Sequence, residues 1–123
     1  MNKRVLLLDD SSEFLFLVSS LLKFHNIDVE NVEDSAKALE LVKQNDYAMI
    51  ITDYLMDPMN GLEFAQEVRK EGKNQHTPLM LLTAKKLDEE ETIECGQLKM
   101  VYVSKPVMPN DLYRKVMDNI SKK

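Results

Sequence analysis

Four apolar runs of this chain each end on a polar side chain suited to holding phosphate and a divalent cation. Val5-Leu6-Leu7-Leu8 runs into Asp9-Asp10, and Ala48-Met49-Ile50-Ile51-Thr52 into Asp53. Leu79-Met80-Leu81-Leu82 runs into Thr83, and Val101-Tyr102-Val103-Ser104 into Lys105-Pro106. Three carboxylates gathered at one place repel, so at least one keeps its proton unless a cation neutralises them. Mg²⁺ suits such a place, because it is hard, prefers oxygen, and keeps several waters beside one or two carboxylates and a phosphate. Mn²⁺ is an open substitute. A carboxylate can also attack phosphorus and form an acyl phosphate. Phosphoryl transfer depends chiefly on positioning and charge neutralisation. A nucleophilic Asp, a metal, a hydroxyl and an ammonium group are therefore sufficient equipment.

The elements between these residues must bring them together. Short apolar runs separated by helix-like stretches read as buried parallel strands with helices on both faces. In such sheets ligands bind at the carboxyl ends of the strands. Ser11-Ser12-Glu13 offers a hydroxyl cap to a first helix, in which Phe14, Leu15, Leu17, Val18, Leu21 and Leu22 recur at helical spacing before Asn26. Ile27, Val29 and Val32 alternate with polar residues, predicting an edge strand with no reactive residue at its end. Asp34 suits the cap of a second helix that buries Ala38, Leu39 and Val42. Asn60 with Glu63 approaches a capping box for a third, with Leu62, Phe64, Ala65 and Val68 inward and Gly72 at its end. Pro78 opens the fourth strand.

The stretch from Lys86 to Met100 is the least regular. Asp88-Glu89-Glu90-Glu91 suits a helix start through the macrodipole, yet Gly96 and the sparse Leu87, Ile93 and Leu98 predict only a short, mobile helix. Pro109 fits the first position of a last helix, with Leu112, Val116 and Ile120 inward and Tyr113 and Met117 alongside. Five strands alternating with five helices, joined by right-handed crossovers, predict a flavodoxin-like (βα)5 fold with strand order 2-1-3-4-5. Its switch point lies between strands one and three, where Asp9, Asp10 and Asp53 fall.

The chain has 123 residues, the size of one domain, with 44% hydrophobic and 30% charged residues, an ordinary soluble composition. No apolar run approaches the roughly 20 residues that span a bilayer, and the first strand is too short for the core of a signal peptide. A net charge of -5 argues against direct nucleic-acid binding, which needs a basic face. Cys95 is the only cysteine, so no internal disulfide forms, and one thiol fits a reducing, cytoplasmic setting. Cys95 reads as a half-buried helix residue. His25 and His76 read as surface residues without partners at metal spacing, and the methionines as core filler.

Taken together, Leu8-Asp9-Asp10, Thr52-Asp53, Asn60-Gly61, Thr83-Ala84 and Tyr102-Val103-Ser104-Lys105-Pro106 make the chain resemble a receiver domain of two-component response regulators over its whole length. Each element is weak alone; the five in this order are specific. The resemblance implies that Asp53 accepts a phosphoryl group, from a sensor histidine kinase or a histidine phosphotransfer protein. It implies that Asp10, Asp53 and the Leu55 backbone carbonyl bind Mg²⁺, with Asp9 joining through water. Thr83 and Tyr102 would be switch residues, Lys105 would pair with the phosphoryl oxygens, and the Lys105-Pro106 bond would be cis. Ser104 reads as a strand-end hydroxyl satisfying backbone. The expected role is a signalling switch that modifies only itself and has no independent turnover substrate. It would act on a downstream protein target through the face of helix four, strand five and helix five, and a homodimer on phosphorylation is left open. Residues 1–123 are expected to be one receiver domain, standing alone or excised from a longer regulator or hybrid kinase.

Three departures from the family pattern stand out. Asp57 holds the place of a usual Pro, with Pro58 one later. Leu55 and Lys85 flank the expected entrance for hydrolytic water, and a leucine cannot orient water, which implies slow hydrolysis. Cys95-Gly96-Gln97-Leu98 replaces an Ala-Gly-Ala-like end of helix four. Two rivals use related parts. An aspartate-nucleophile phosphatase would need a second acid where Leu55 stands. A flavodoxin-like nucleotide or flavin module would need a phosphate-cradling first loop where Asp9-Asp10 stands.

Overall fold

The computed structural model describes residues 4–121. Five strands and five helices alternate in the order β1 (Arg4–Leu8), α1 (Ser12–Phe24), β2 (Asp28–Val32), α2 (Ser35–Gln44), β3 (Met49–Thr52), α3 (Gly61–Lys70), β4 (Leu79–Thr83), α4 (Glu89–Gln97), β5 (Met100–Ser104) and α5 (Pro109–Ser121). The strands form one sheet in the order β2-β1-β3-β4-β5. All four pairings are parallel. The switch point therefore lies between β1 and β3, with Leu8 opposite Thr52.

The strands read as unbroken apolar runs because each face of the sheet is covered. Side chains of a strand alternate between faces. Val5, Leu7, Met49, Ile51, Met80 and Leu82 pack with Leu15, Val18 and Leu22 of α1 and Leu112, Val116 and Ile120 of α5. Leu6, Leu8, Ile50, Leu79 and Leu81 pack on the other face with Ala38 and Val42 of α2, Phe64, Ala65 and Val68 of α3, and Cys95 of α4. One strand thus feeds two cores, and a one-residue slip in register would exchange them.

The helix starts follow their predicted chemistry. Ser11 accepts from Phe14 N, Asp34 from Lys37 N, and Asn60 forms a full capping box with Glu63. Asn26 stops α1 at a φ of 64°. Helix α4 is nine residues long and carries a second capping box, between Asp88 and Glu91. Three expectations need correction. Leu17 lies 65% exposed, because only one stripe of the 13-residue α1 faces the sheet and Leu15, Val18 and Leu22 fill it. Leu39 is only half-buried, at the margin of the α2 contact. Cys95 is fully rather than half buried, with its Sγ toward the Met100 carbonyl oxygen, and burial pushes its thiol pKa up. Among the described residues no helix is long and apolar enough to cross a membrane.

Two buried polar residues fasten the lower and upper loops. Asn74 accepts from Tyr47 N and donates to the carbonyls of Val42 and Asn45, satisfying the last turn of α2 and the residue that follows it. Ser35, at the start of α2, donates through Oγ to the Met59 carbonyl and accepts the Met59 N–H, at 2.9 and 2.8 Å. Its own N–H donates to the Asp57 carbonyl at 2.9 Å. The loop carrying Asp57, with a cis Asp57-Pro58 bond, is thereby tied to α2.

Candidate functional site

The backbone sets the site before any side chain reaches it. Asp9 N–H still donates to Val32 and Asp53 N–H to Leu8, so both carboxylates leave the sheet at the ends of paired strands. Lys105 N–H donates to the Thr83 carbonyl, bringing the fifth strand end to the fourth. The Lys105-Pro106 bond is cis, as expected.

Lys105 then closes the cleft. Its Nζ lies 2.7 Å from Asp9 Oδ2 and 3.0 Å from Asp53 Oδ2. The Asp9 side chain is only 2% exposed and that of Asp53 11%, so neither carboxylate has water enough to stand alone. Phe14 backs the ammonium group, its ring centroid 3.9 Å from Nζ, a cation–π contact in a partly dry setting. The other carboxylate oxygens are aimed by backbone: Asp9 Oδ1 accepts from Ser11 N–H, and Asp53 Oδ1 from Leu55 N–H.

The electrostatics follow this packing. Burial alone would raise the Asp53 pKa, but hydrogen bonds from Thr83 and Lys105, the ammonium charge and the Leu55 N–H outweigh it and hold the carboxyl below its ordinary range. Burial would likewise lower the Lys105 pKa, and the two carboxylates reverse the sign, so it stays charged. Asp53 is therefore an ionised carboxylate at neutral pH, beside a fixed cation.

The sequence-derived residues fall into place unevenly. Asp9, Asp53 and Lys105 meet directly, and fully buried Thr83 reaches Asp53 through its hydroxyl. Asp10 follows Asp9 on the exposed rim. Leu55 stands two residues past Asp53 and is 61% exposed. Tyr102 is 41% exposed and donates to the Lys85 carbonyl at 3.1 Å, away from Asp53. Ser104 Oγ donates to the Lys105 carbonyl, the backbone role expected of it. His25 stacks on Tyr113, ring centroids 3.7 Å apart, away from the site.

Among the described residues no three Asp, Glu, His or Cys side chains form a metal cage by themselves. The donor set at the switch point is instead all oxygen: the ionised Asp53, the Asp9 carboxylate bridged to it by Lys105, and the rim carboxylate of Asp10. Such a partial set suits a hard cation that retains water, and it fits Mg²⁺ rather than a thiolate- or imidazole-seeking metal.

Several contacts near the site carry no signal in the sequence. Phe14 reads there only as core. Lys85 pairs with Glu91 at 2.8 Å and lies over the Tyr54 ring at 4.7 Å, with Tyr54 adjacent to Asp53. The Tyr54 phenol is pushed up to about 12, first by its hydrogen bond with Glu91. Glu91 is pulled down to about 2, first by the Asp88 N–H and then by Lys85. Spacing does not mark such pairs, since they join two loops and a helix start.

Gly61, by contrast, stands in the sequence motif Asn60-Gly61, and its physical reason is space. A Cβ there would lie 2.4 Å from the Asp53 carbonyl oxygen.

Sheet and cleft together define a flavodoxin-like domain with an acidic, lysine-bridged pocket at its switch point. The chain belongs to the response regulator receiver domain family, whose model matches residues 5–117. It is 34% identical over 110 residues to the putative two-component response regulator ARR21 of Arabidopsis thaliana, covering 88% of this chain and 17% of that protein. It therefore spans less than a fifth of that relative. It is 29% identical over 119 residues to chemotaxis protein CheY-3 of Vibrio cholerae, covering 94% of this chain and 89% of the relative. The receiver domain of the Pseudomonas aeruginosa sensor histidine kinase PA1611 superposes with a TM-score of 0.87 at 23% identity, over 98% of this chain and 99% of that one. That structure carries a magnesium ion coordinated in its active site cleft.

Proposed function

We propose that the chain is a phosphoacceptor switch in which the Asp53 carboxylate takes a phosphoryl group from a phosphohistidine of a sensor kinase or phosphotransfer protein. One observation carries this reading. Lys105 Nζ joins Asp9 and Asp53 at 2.7 and 3.0 Å, two carboxylates far apart in sequence that fold into one lysine-bridged, partly dry cleft.

An Asp53 oxygen attacks phosphorus, the bond from phosphorus to the donor imidazole nitrogen breaks, and the imidazole leaves with that electron pair. The product is an acyl phosphate on Asp53. Lys105 is placed to follow the phosphoryl oxygens as charge moves off the carboxylate, and the Thr83 hydroxyl to donate to one of them. Asp10, Asp53 and the Leu55 carbonyl would hold Mg²⁺, with Asp9 through water. When bound, the ion neutralises charge between carboxylates and phosphate. Moving Thr83 toward the phosphoryl group biases a surface that includes Tyr102, and a downstream protein reads that bias.

The rivals lack support in the cleft. Leu55 offers no second acid for ester turnover, and Asp9-Asp10 stands where a nucleotide module would need a phosphate-cradling loop.

The test is incubation with Mg²⁺ and acetyl phosphate, followed by intact mass. One added phosphoryl group is expected on the wild type, and none with a chelator or in Asp53→Asn. An unlabelled, folded wild type would refute the reading.

A further inference from the structure

We infer that Glu91, on α4, is a positioning residue for the Thr83 hydroxyl, acting through Lys85. The inference rests on the reading of Asp53 as the acceptor. Lys85 touches both candidate switch residues through its own peptide groups. Its N–H donates to Thr83 Oγ1 at 3.2 Å, and its carbonyl accepts from the Tyr102 hydroxyl at 3.1 Å. The position of this single residue therefore sets where Thr83 and Tyr102 can stand.

Its side chain is held in turn. Nζ donates to Glu91 Oε1 at 2.8 Å and lies 4.7 Å from the Tyr54 ring centroid. The same Glu91 oxygen accepts the Asp88 N–H at 2.9 Å, while Asp88 Oδ1 accepts the Glu91 N–H at 2.8 Å. One carboxylate oxygen thus joins the first turn of α4 to the loop after β4. The ammonium-ring contact extends that tie to the loop after β3, next to Asp53. The paired side chains are 31% and 16% exposed, less than a free surface pair. An unpaired lysine would be a mobile, hydrated point charge. Pinned here, it fixes its own peptide and with it the hydroxyl that faces Asp53. Glu91 touches no reacting atom; it acts at one remove.

The test uses the full chain with Mg²⁺ and acetyl phosphate. Glu91→Gln keeps an oxygen for the Asp88 N–H, so the helix start stays capped while the charge facing Lys85 is lost. Lys85→Met keeps the stem and loses the ammonium group. Each is expected to slow labelling of Asp53 by about threefold, the range of a partly exposed ion pair. The double variant should be no slower than either single one, because both remove the same contact. Lys85→Arg should retain the wild-type rate, and Glu90→Gln, an exposed neighbour, should leave it unchanged. In unmodified protein, Glu91→Gln should also speed amide exchange at Lys85 by about threefold, as its bond to Thr83 loosens.

Wild-type labelling together with unchanged rates and exchange in Glu91→Gln and Lys85→Met overturns the proposal alone. Effects that multiply independently also overturn it. A wild type that takes up no phosphoryl group removes the reading of Asp53, and this proposal with it.

Discussion

Gly61→Ala isolates how closely α3 must approach Asp53. The added methyl would lie 2.4 Å from the Asp53 carbonyl oxygen, 3.0 Å from Leu81 Cδ1 and 3.1 Å from Tyr54 Cα. Real Cβ contacts stay beyond 3.0 Å, so the Asp53 peptide and the start of α3 must part by about 0.6 Å (3.0 less 2.4). Two of the three obstacles are backbone, and both are anchored. The Asp53 carbonyl accepts from Thr52 Oγ1 at 2.8 Å, and Gly61 N–H donates to the Tyr54 carbonyl at 2.9 Å. Overpacking of this kind costs about 1–3 kcal/mol. That is a large part of a typical stability of roughly 5–15 kcal/mol, yet it leaves the variant folded. At a slope of about 2 kcal/mol per molar urea, the midpoint should fall by about 0.5–1.5 M. The Asp53 carboxylate moves with its peptide. Since a displacement of about 1 Å can cost roughly a hundredfold in rate, labelling should slow by about tenfold. Urea unfolding followed by circular dichroism and the acetyl phosphate rate read the two effects separately. Gly96→Ala is the contrast: nothing lies within 4 Å, so it should stabilise α4 by up to about 1 kcal/mol and leave labelling alone. If Gly61→Ala matched the wild type in both midpoint and rate, the close approach would carry no weight.

Three further outcomes follow from the cleft and its loops. The Asp53 pKa is held below 3.8, so its contribution to stability is present above about pH 4 and lost as pH falls through the folded value; that of Lys105, raised above 10.5, is complete below that pH and lost as pH rises through its folded value. Urea midpoints of Asp53→Asn should accordingly vary less on both limbs, and limbs as steep as the wild type's would contradict the ion pair. Ser35→Ala strips the Met59 peptide of both partners at a buried position, so a loss of about 1–3 kcal/mol is expected, together with weaker Mg²⁺ binding measured calorimetrically. No change in either would mean the clasp is idle. Leu55→Asn should hasten loss of the phosphoryl group severalfold, because an amide can hold water where a leucine cannot; an unchanged decay of the labelled mass would dismiss that idea.

What the sequence disclosed follows from how local the causes are. Strand ends such as Asp9 and Asp53 were legible because an apolar run stops at the edge of a parallel sheet, where chemistry collects. The caps at Ser11, Asp34 and Asn60 were legible because each bonds within its own first turn. Leu17 was misplaced because periodicity gives a helix's apolar stripe but not its width, which depends on how α5 crowds α1 against the sheet. Ser35 and Asn74 escaped notice because their partners lie 24 and 32 positions away, at Met59 and Val42, and Lys85 was noticed only for its place beside the cleft, not for its bond to Tyr102, 17 positions on. Gly61 shows a middle case: the dipeptide was visible, while its reason, contact with the Asp53 carbonyl, needed the third dimension.

Asp9, Asp10 and Asp53 are acidic residues at the candidate site, and Asp57 is a fourth in the loop after β3. Reducing the labelled protein with borohydride converts an aspartyl phosphate to homoserine, and peptide mass mapping then reads which position changed. Conversion at position 53 and nowhere else is expected. Conversion at Asp9, Asp10 or Asp57, with Asp53 intact, would contradict the claim that Lys105 and Thr83 are built around Asp53.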